Sequence, residues 1–185
     1  MSLSKAEAEA ALGEIDRVIA RTRRAVATGC CGGLLILWGV IWLLGFSASQ
    51  FLPDHANYLW AALDSAGFLA SWFLGARSQR STRGGFGLRI GLSWLALFLY
   101  ATLWLFILRP SDWRFFGAYP ATLAMFGYVL MGLWLDRYLL WLGLAVTAAS
   151  LLGILCVPDW FNLWMGVIGG GSLIAAGIHI RKSWN

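Results

Sequence analysis

The sequence predicts an all-α fold: a polytopic membrane helical bundle of six transmembrane helices with an N-terminal amphipathic helix. Composition supports this fold, because 59% of the 185 residues are hydrophobic and 12% are charged, whereas a soluble domain carries about 25% charged residues. Six long apolar runs also support it, since a helix needs ~20 residues to cross the hydrocarbon core. The third observation is that Lys and Arg gather on one side of these runs.

The six runs are predicted to be helical because backbone groups in lipid must find their hydrogen bonds within the chain. Each run contains at most one acidic or basic residue. The predicted spans cover residues 25–46, 58–76, 90–108, 118–135, 138–157 and 160–180. Residues 1–24 precede this bundle on the cytoplasmic side, and residues 181–185 form a short tail on the same side.

The basic residues predict the orientation of the bundle. With a cytoplasmic N-terminus, twelve Lys and Arg residues fall inside and two fall outside. The twelve are Lys5, Arg17, Arg21, Arg23, Arg24, Arg77, Arg80, Arg83, Arg89, Arg137, Arg181 and Lys182, and the two are Arg109 and Arg114. The positive-inside rule therefore predicts a multi-pass protein with both termini cytoplasmic, in the inner membrane if the source is bacterial. The net charge of +5 belongs to this asymmetry and indicates a lipid bilayer, and no nucleic acid, as the partner.

The segment before the first span is predicted to form an amphipathic helix. Ser4 and Glu7 match a capping box. Leu12, Ile15 and Ile19 recur on one face and form a narrow apolar stripe. One interpretation is a helix that lies on the bilayer or continues into the first span. The other is a docking stripe for a protein partner or a second copy of the chain.

Proline and aspartate occur together in each of the three outer connections. These connections contain Pro53-Asp54, Pro110-Ser111-Asp112 and Pro158-Asp159. Proline ends a helix, and the aspartate is expected to accept hydrogen bonds from the free N–H groups of the next helix. The pattern predicts three capped helical hairpins. Two further hypotheses stay open, an outer site built from three carboxylates and an internal repeat of three hairpins.

Asp64 is the only charged residue inside a predicted span. It lies about six residues from the outer edge, which corresponds to a depth of ~9 Å. An ionisable group at this depth costs several kcal/mol unless it is neutral, paired or hydrated. The functional hypothesis is a proton site or a counter-charge for a cationic ligand. The structural alternatives are an ion pair with Arg109 or Arg114, or a cap on a helix that begins nearer Ser65.

Tryptophan and glycine supply the remaining candidates. Three of the twelve tryptophans, Trp38, Trp42 and Trp72, are candidates to complete an aromatic cage with Asp64, because tryptophan faces attract cations. The alternative is that these rings face lipid or the bundle interior. In the sixth span, small residues predict either close helix packing or a hinge. The glycines concerned are Gly166, Gly169, Gly170 and Gly171.

Catalytic residues, metal ligands and cofactors are not predicted. His55 and His179 fall on opposite sides of the membrane, and the three cysteines form no metal or redox motif. The preferred hypothesis is therefore a non-enzymatic subunit or regulator that acts through helix–helix contacts and the N-terminal helix. The alternative is a small-molecule binder or transporter whose site contains Asp64 and the inner tryptophans. In the first class, deleting residues 1–24 should abolish co-purification with a partner, and Asp64→Asn should have no effect. In the second class, Asp64→Asn should abolish ligand binding or transport, and the deletion should matter little.

Overall fold

The computed structural model describes residues 7, 9–14, 17, 31–79, 86–109, 113–134 and 136–183. Within these ranges the chain is helical and contains no strand. Six helices are long and apolar enough to cross a membrane. The predicted all-α class with six such helices is therefore confirmed.

The helices are numbered in chain order. The first five are α1, Gly32–Phe51; α2, Ala56–Gln79; α3, Phe86–Leu108; α4, Trp113–Trp134; and α5, Arg137–Cys156. The sixth, α6, consists of the successive segments Phe161–Trp164, Met165–Gly170 and Gly171–Ser183. Its middle segment has the wider hydrogen-bond pattern of a π-helix. Residues 9–14 are also helical and exposed.

The first helix extends farther than the predicted span of residues 25–46. It continues through a polar run to Phe51 because the side chains of that run find hydrogen-bond acceptors. The Ser49 hydroxyl donates to the Gly45 carbonyl at 2.8 Å, and the Gln50 amide donates to the Asp159 carbonyl at 3.0 Å. Residues 25–30 of the predicted span lie outside the described residues.

The fourth helix begins earlier than the predicted residue 118, at Trp113, so that Pro120 lies inside it. A proline removes one N–H from the helical ladder. The Thr122 hydroxyl donates to the carbonyls of Ala118 and Tyr119, at 2.9 and 3.0 Å. The carbonyl that Pro120 leaves without its helical donor is that of Phe116, so the two bonds of Thr122 do not replace the lost one.

Two of the three Pro-Asp connections are described, and they adopt the same conformation. Pro53–His55 and Pro158–Trp160 each form one 3-10 turn, preceded by a residue with φ near −133° and −135° respectively. In the described part of the chain neither Asp54 nor Asp159 makes a side-chain hydrogen bond, so the expected capping by these aspartates is wrong. Both stand in the first turn, where they can offset the positive end of the helix without a cap bond. The connection at 110–112 lies outside the described residues.

Four helices form the packed centre of the bundle. The closest pairs are α4 with α5 and α1 with α6, and α5 also contacts α6. Buried side chains from all four meet in one cluster that includes Leu35, Phe46, Met125, Val146 and Phe161. Helix α2 packs mainly on α1, and α3 packs mainly on α4. These two helices therefore lie at the periphery. The end of the bundle that carries the two Pro-Asp turns is termed the outer end.

Glycines set the distance between α1 and α6. A Cβ atom built on Gly39 would lie 2.8 Å from the Gly170 carbonyl oxygen, and one built on Gly170 would lie 2.7 Å from the Gly39 carbonyl oxygen. A second pair, Gly32 and Gly177, lies nearer the inner end. A Cβ atom built on Gly32 would lie 3.0 Å from the Gly177 carbonyl oxygen, and one built on Gly177 would lie 2.6 Å from the Gly32 carbonyl oxygen. Each helix thus presents two glycines seven residues apart, and the two backbones touch directly.

Candidate functional site

Asp64 lies in α2, at the edge of the face that contacts α1. That face is marked by three residues: Trp60, whose ring packs on Gly45; Gly67, which meets Ile41; and Ser71, which accepts a hydrogen bond from the Trp38 indole. Spacings of seven and four residues place these side chains on one side of a helix. Asp64 is one turn from Trp60 and is half-buried.

The Asp64 carboxylate has no hydrogen bond and no ion pair with any described residue. The guanidinium of Arg109 instead lies over the Phe106 ring, 5.3 Å from its centroid. Because α2 begins at Ala56, Asp64 is inside the helix, and the alternative that it caps a helix starting near Ser65 is wrong. Asp64 is therefore a half-buried carboxylate that has no partner among the described residues.

The structure does not bring the three candidate tryptophans together around Asp64. Trp42 is 7% exposed and packs on Phe46 and against the position of Gly169. Trp72 is 71% exposed. Trp42 therefore lies at the contact of α1 with α6 and Trp72 on the surface, and no described contact joins either ring to Asp64. The cage stays a prediction.

Trp38 takes part in an aromatic cluster that joins α1, α2 and α3. Its ring lies 5.3 Å from Phe68 in an edge-to-face arrangement and 5.7 Å from Phe98 in a stacked one. Phe68 and Phe98 are themselves 5.3 Å apart, and Trp94 lies 6.2 Å from Phe98. Aromatic pairs at these separations are favourable. The cluster is the contact that links the two peripheral helices, and no spacing within one helix could have predicted it.

A polar group at the outer end was also missed by the sequence analysis. The Gln50 amide nitrogen donates to the Asp159 carbonyl, which leaves its Oε1 as a buried acceptor with no partner among the described residues. Asn162 is 5% exposed. On the same side, the Trp60 indole donates to the Ser49 hydroxyl at 2.9 Å. The sequence feature that could have predicted this polar group is the position of Gln50 and Asn162 close to the Pro-Asp turns.

A groove of about 490 Å³ runs between α3 and α4. It is open on one side, and several of its side chains are exposed. The groove contains none of the residues proposed for the cage. Its walls are formed by Ser93, Ala96, Leu97, Tyr100, Trp104, Tyr119 and Leu123.

The glycines of α6 divide into two groups. Gly166, Gly169 and Gly170 face α1, with Cβ positions 3.3 Å from the Leu43 carbonyl, 3.1 Å from Trp42 and 2.7 Å from the Gly39 carbonyl respectively. A Cβ on Gly171 would meet nothing within 4 Å. The first three therefore lie at a helix contact and within the π segment. Whether this segment also works as a hinge stays a prediction.

The docking stripe is described only in part. Leu12 is 62% exposed, whereas Ile15 and Ile19 lie outside the described residues. In the described ranges no group of three His, Cys, Asp or Glu side chains is placed to hold a metal ion. His179 stacks on Tyr138, with ring centroids 5.0 Å apart. Asp112 is not described, so the hypothesis of three converging outer carboxylates stays a prediction.

Comparison with known proteins provides no family, since no protein-family model, curated protein or solved structure matches the chain. Function must therefore be argued from the residues themselves. Two features stand out in the described helices: the half-buried carboxylate of Asp64, and the uneven packing of α2 and α3 relative to the other four helices.

Proposed function

We propose that the chain is a non-enzymatic subunit or regulator that associates with another membrane protein through α2 and α3. One observation carries this proposal. In the most apolar stretch of each helix, 6% of the residues are buried in α2 and in α3, compared with 33% in α1, α4 and α5 and 44% in α6. Two helices of the same bundle thus bury far fewer of their residues than the other four.

The difference in burial between α2–α3 and the other four helices carries more weight than the exposure of apolar side chains. Lipid tails cover any apolar face, and helices in lipid associate through close packing rather than through the hydrophobic effect. A helix with few buried residues gains less packing energy from its own chain than the four central helices do. Phe68 of α2 and Phe98 of α3 are in ring contact, with centroids 5.3 Å apart, so a partner at this point is within reach of both helices. A protein partner would supply the packing that these helices lack.

The proposed orientation places both termini in the cytoplasm, and in the inner membrane if the source is bacterial. It is supported by the twelve basic residues on one side against two on the other. The N-terminal helix then lies at the cytoplasmic surface, where the exposed Leu12, with Ile15 and Ile19, offers a second contact for the partner. Reporter domains fused to the two ends test the orientation. A signal from opposite sides would contradict it.

Site-specific photo-cross-linking in native membranes tests the association. A cross-linking amino acid is placed at Leu69 in α2 or at Leu103 in α3. The matched controls are Leu152 and Leu155 in α5. Leu103 and Leu152 are equally exposed, at 52% and 54%, so they differ in the helix that carries them and not in access. We expect discrete protein adducts from the α2 and α3 positions and lipid adducts alone from α5.

Two outcomes separate the parts of this proposal. Equal adducts from all four positions, or none from any, would remove the α2–α3 surface as an interface. If adducts form at Leu69 and Leu103, deleting residues 1–24 should lower their yield, because the proposed N-terminal contact is lost. An unchanged yield would restrict the interface to the membrane helices.

A small-molecule binder or carrier is the second candidate function, favoured by the unpaired and half-buried Asp64. An ionisable residue inside a membrane commonly marks a ligand or proton pathway. Tetraphenylphosphonium, a lipophilic cation, is a suitable probe of such a site. Uptake into vesicles that contain the wild-type protein, lost in Asp64→Asn, would support the carrier. Uptake equal to that of empty vesicles would reject it for this class of ligand.

A further inference from the structure

We infer that the partner of α2 presents a basic side chain, from within its own membrane-spanning helix, to Asp64. This inference rests on the proposed function and specifies the chemistry of the partner. Asp64 lies well inside its helix. Asp64 is eight residues beyond Ala56, where α2 begins, and a rise of 1.5 Å per residue places it about 12 Å along the helix. That position lies within the apolar part of the bundle.

The described part of the chain does not supply the opposite charge at this depth. Among the described residues Asp64 has no ion pair. Arg109 follows the last residue of α3 and stacks on Phe106, and Arg114 is the second residue of α4. Both are therefore at the outer end. The other basic residues of the described membrane helices lie in the first or last turns at the opposite end: Arg77, Arg89, Arg137, Arg181 and Lys182.

A second copy of the chain is unsuited to the role for the same reason. None of the six predicted spans contains a Lys or Arg, so another copy would bring no cation to the level of Asp64. The partner is therefore a different protein, with Lys or Arg in the outer half of a spanning helix. The attraction between the two charges is strong there, because little water screens it.

The surface around Asp64 admits a close helix. Ala61 lies three residues before Asp64 and is therefore its neighbour on the helix surface, and both Ala61 and the adjoining Ser65 are exposed. Small side chains let two membrane helices approach. A partner helix seated there would bring a guanidinium or ammonium group directly to the half-buried carboxylate. Asp64→Asn then weakens association, where the sequence analysis expected no effect for a subunit.

A designed peptide provides the test while the natural partner is unidentified. The probe is a transmembrane peptide of Leu and Ala with one Arg eight residues from its outer end. Two controls carry Leu at that position or the Arg at the corresponding inner position. Fluorescence energy transfer from the labelled full-length protein in phosphatidylcholine vesicles measures binding. We expect the outer-Arg peptide to bind at least about tenfold more tightly than either control.

Two protein variants test whether the Asp64 carboxylate is the group that binds the arginine of the peptide. The preference for the outer-Arg peptide should vanish in Asp64→Asn and persist in Asp136→Asn, which changes an acid at the inner end and keeps a side chain able to cap α5. Equal binding of all three peptides to the wild type would overturn the inference. Energy transfer between two differently labelled copies that disappears in Asp64→Asn would also overturn it, by assigning the surface to self-association.

The photo-cross-links distinguish failure of this inference from failure of the proposed function. Adducts at Leu69 and Leu103 that are unchanged by Asp64→Asn would leave the α2–α3 interface standing and remove the basic partner. Absence of those adducts in the wild type would remove the interface itself. Loss of the adducts in Asp64→Asn, with retention in Asp136→Asn, is the result expected if both hold.

Discussion

Gly170→Ala should loosen the contact between α1 and α6. The added Cβ would lie 2.7 Å from the Gly39 carbonyl oxygen and 2.9 Å from the Leu43 nitrogen. Both obstacles are backbone atoms of α1, so no rotamer change can remove them. Ordinary contact begins at 3.4 Å, and the two helices must therefore separate by about 0.7 Å, or 3.4 minus 2.7 Å, along this direction.

The neighbouring glycine provides a matched control for the size of this effect. A Cβ on Gly171 would meet nothing within 4 Å, and its backbone is helical, with φ −61° and ψ −41°. Glycine to alanine stabilises a helix by up to ~1 kcal/mol at either position, so this gain cancels in the comparison. The difference between Gly170→Ala and Gly171→Ala is then the overpacking cost, about 1–3 kcal/mol.

Reversible unfolding by SDS in mixed micelles, followed by tryptophan fluorescence, measures this difference. The free energy of unfolding should fall in Gly170→Ala relative to the wild type and stay level or rise in Gly171→Ala. Gly39→Ala should behave like Gly170→Ala, because its Cβ meets the Gly170 carbonyl at 2.8 Å. If Gly170→Ala and Gly171→Ala unfold at the same SDS fraction, the direct backbone contact inferred here does not exist.

Three further substitutions test individual hydrogen bonds by the same unfolding assay. Trp60→Phe removes the donor to Ser49 at 2.9 Å and should cost about 1 kcal/mol; an additive effect with Ser49→Ala would argue against the bond. Trp164→Phe removes the donor to the Ala149 carbonyl at 2.8 Å and should also cost about 1 kcal/mol, so unchanged stability would count against it. Ser150→Ala should change stability by less than about 1 kcal/mol, since this buried hydroxyl donates only to its own helix; a larger loss would reveal a partner on another helix.

Only part of the candidate site could be predicted from sequence. Asp64 was identified because one charge in an apolar run is visible without any structure. Its proposed companions Trp38 and Trp72 were chosen by residue type, and the fold gives them different surroundings. Gln50 was passed over because it was placed beyond the first predicted span. Its bond to Asp159 joins residues 109 positions apart, and no local pattern encodes such a contact.

Three properties could be read from the residues alone: the chain is helical, it has six segments able to span a membrane, and proline ends two of them. These properties are sums over neighbouring residues or restrictions on one backbone unit, so they survive in any arrangement of the helices. The packed bundle was needed to show that α1 meets α6 through Gly39 and Gly170 and that α2 and α3 lie at the periphery. It was also needed to show that Asp64 is half-buried, with no partner among the described residues. Such features depend on which side chains meet across the bundle, and that choice is made by the packing of all the helices together.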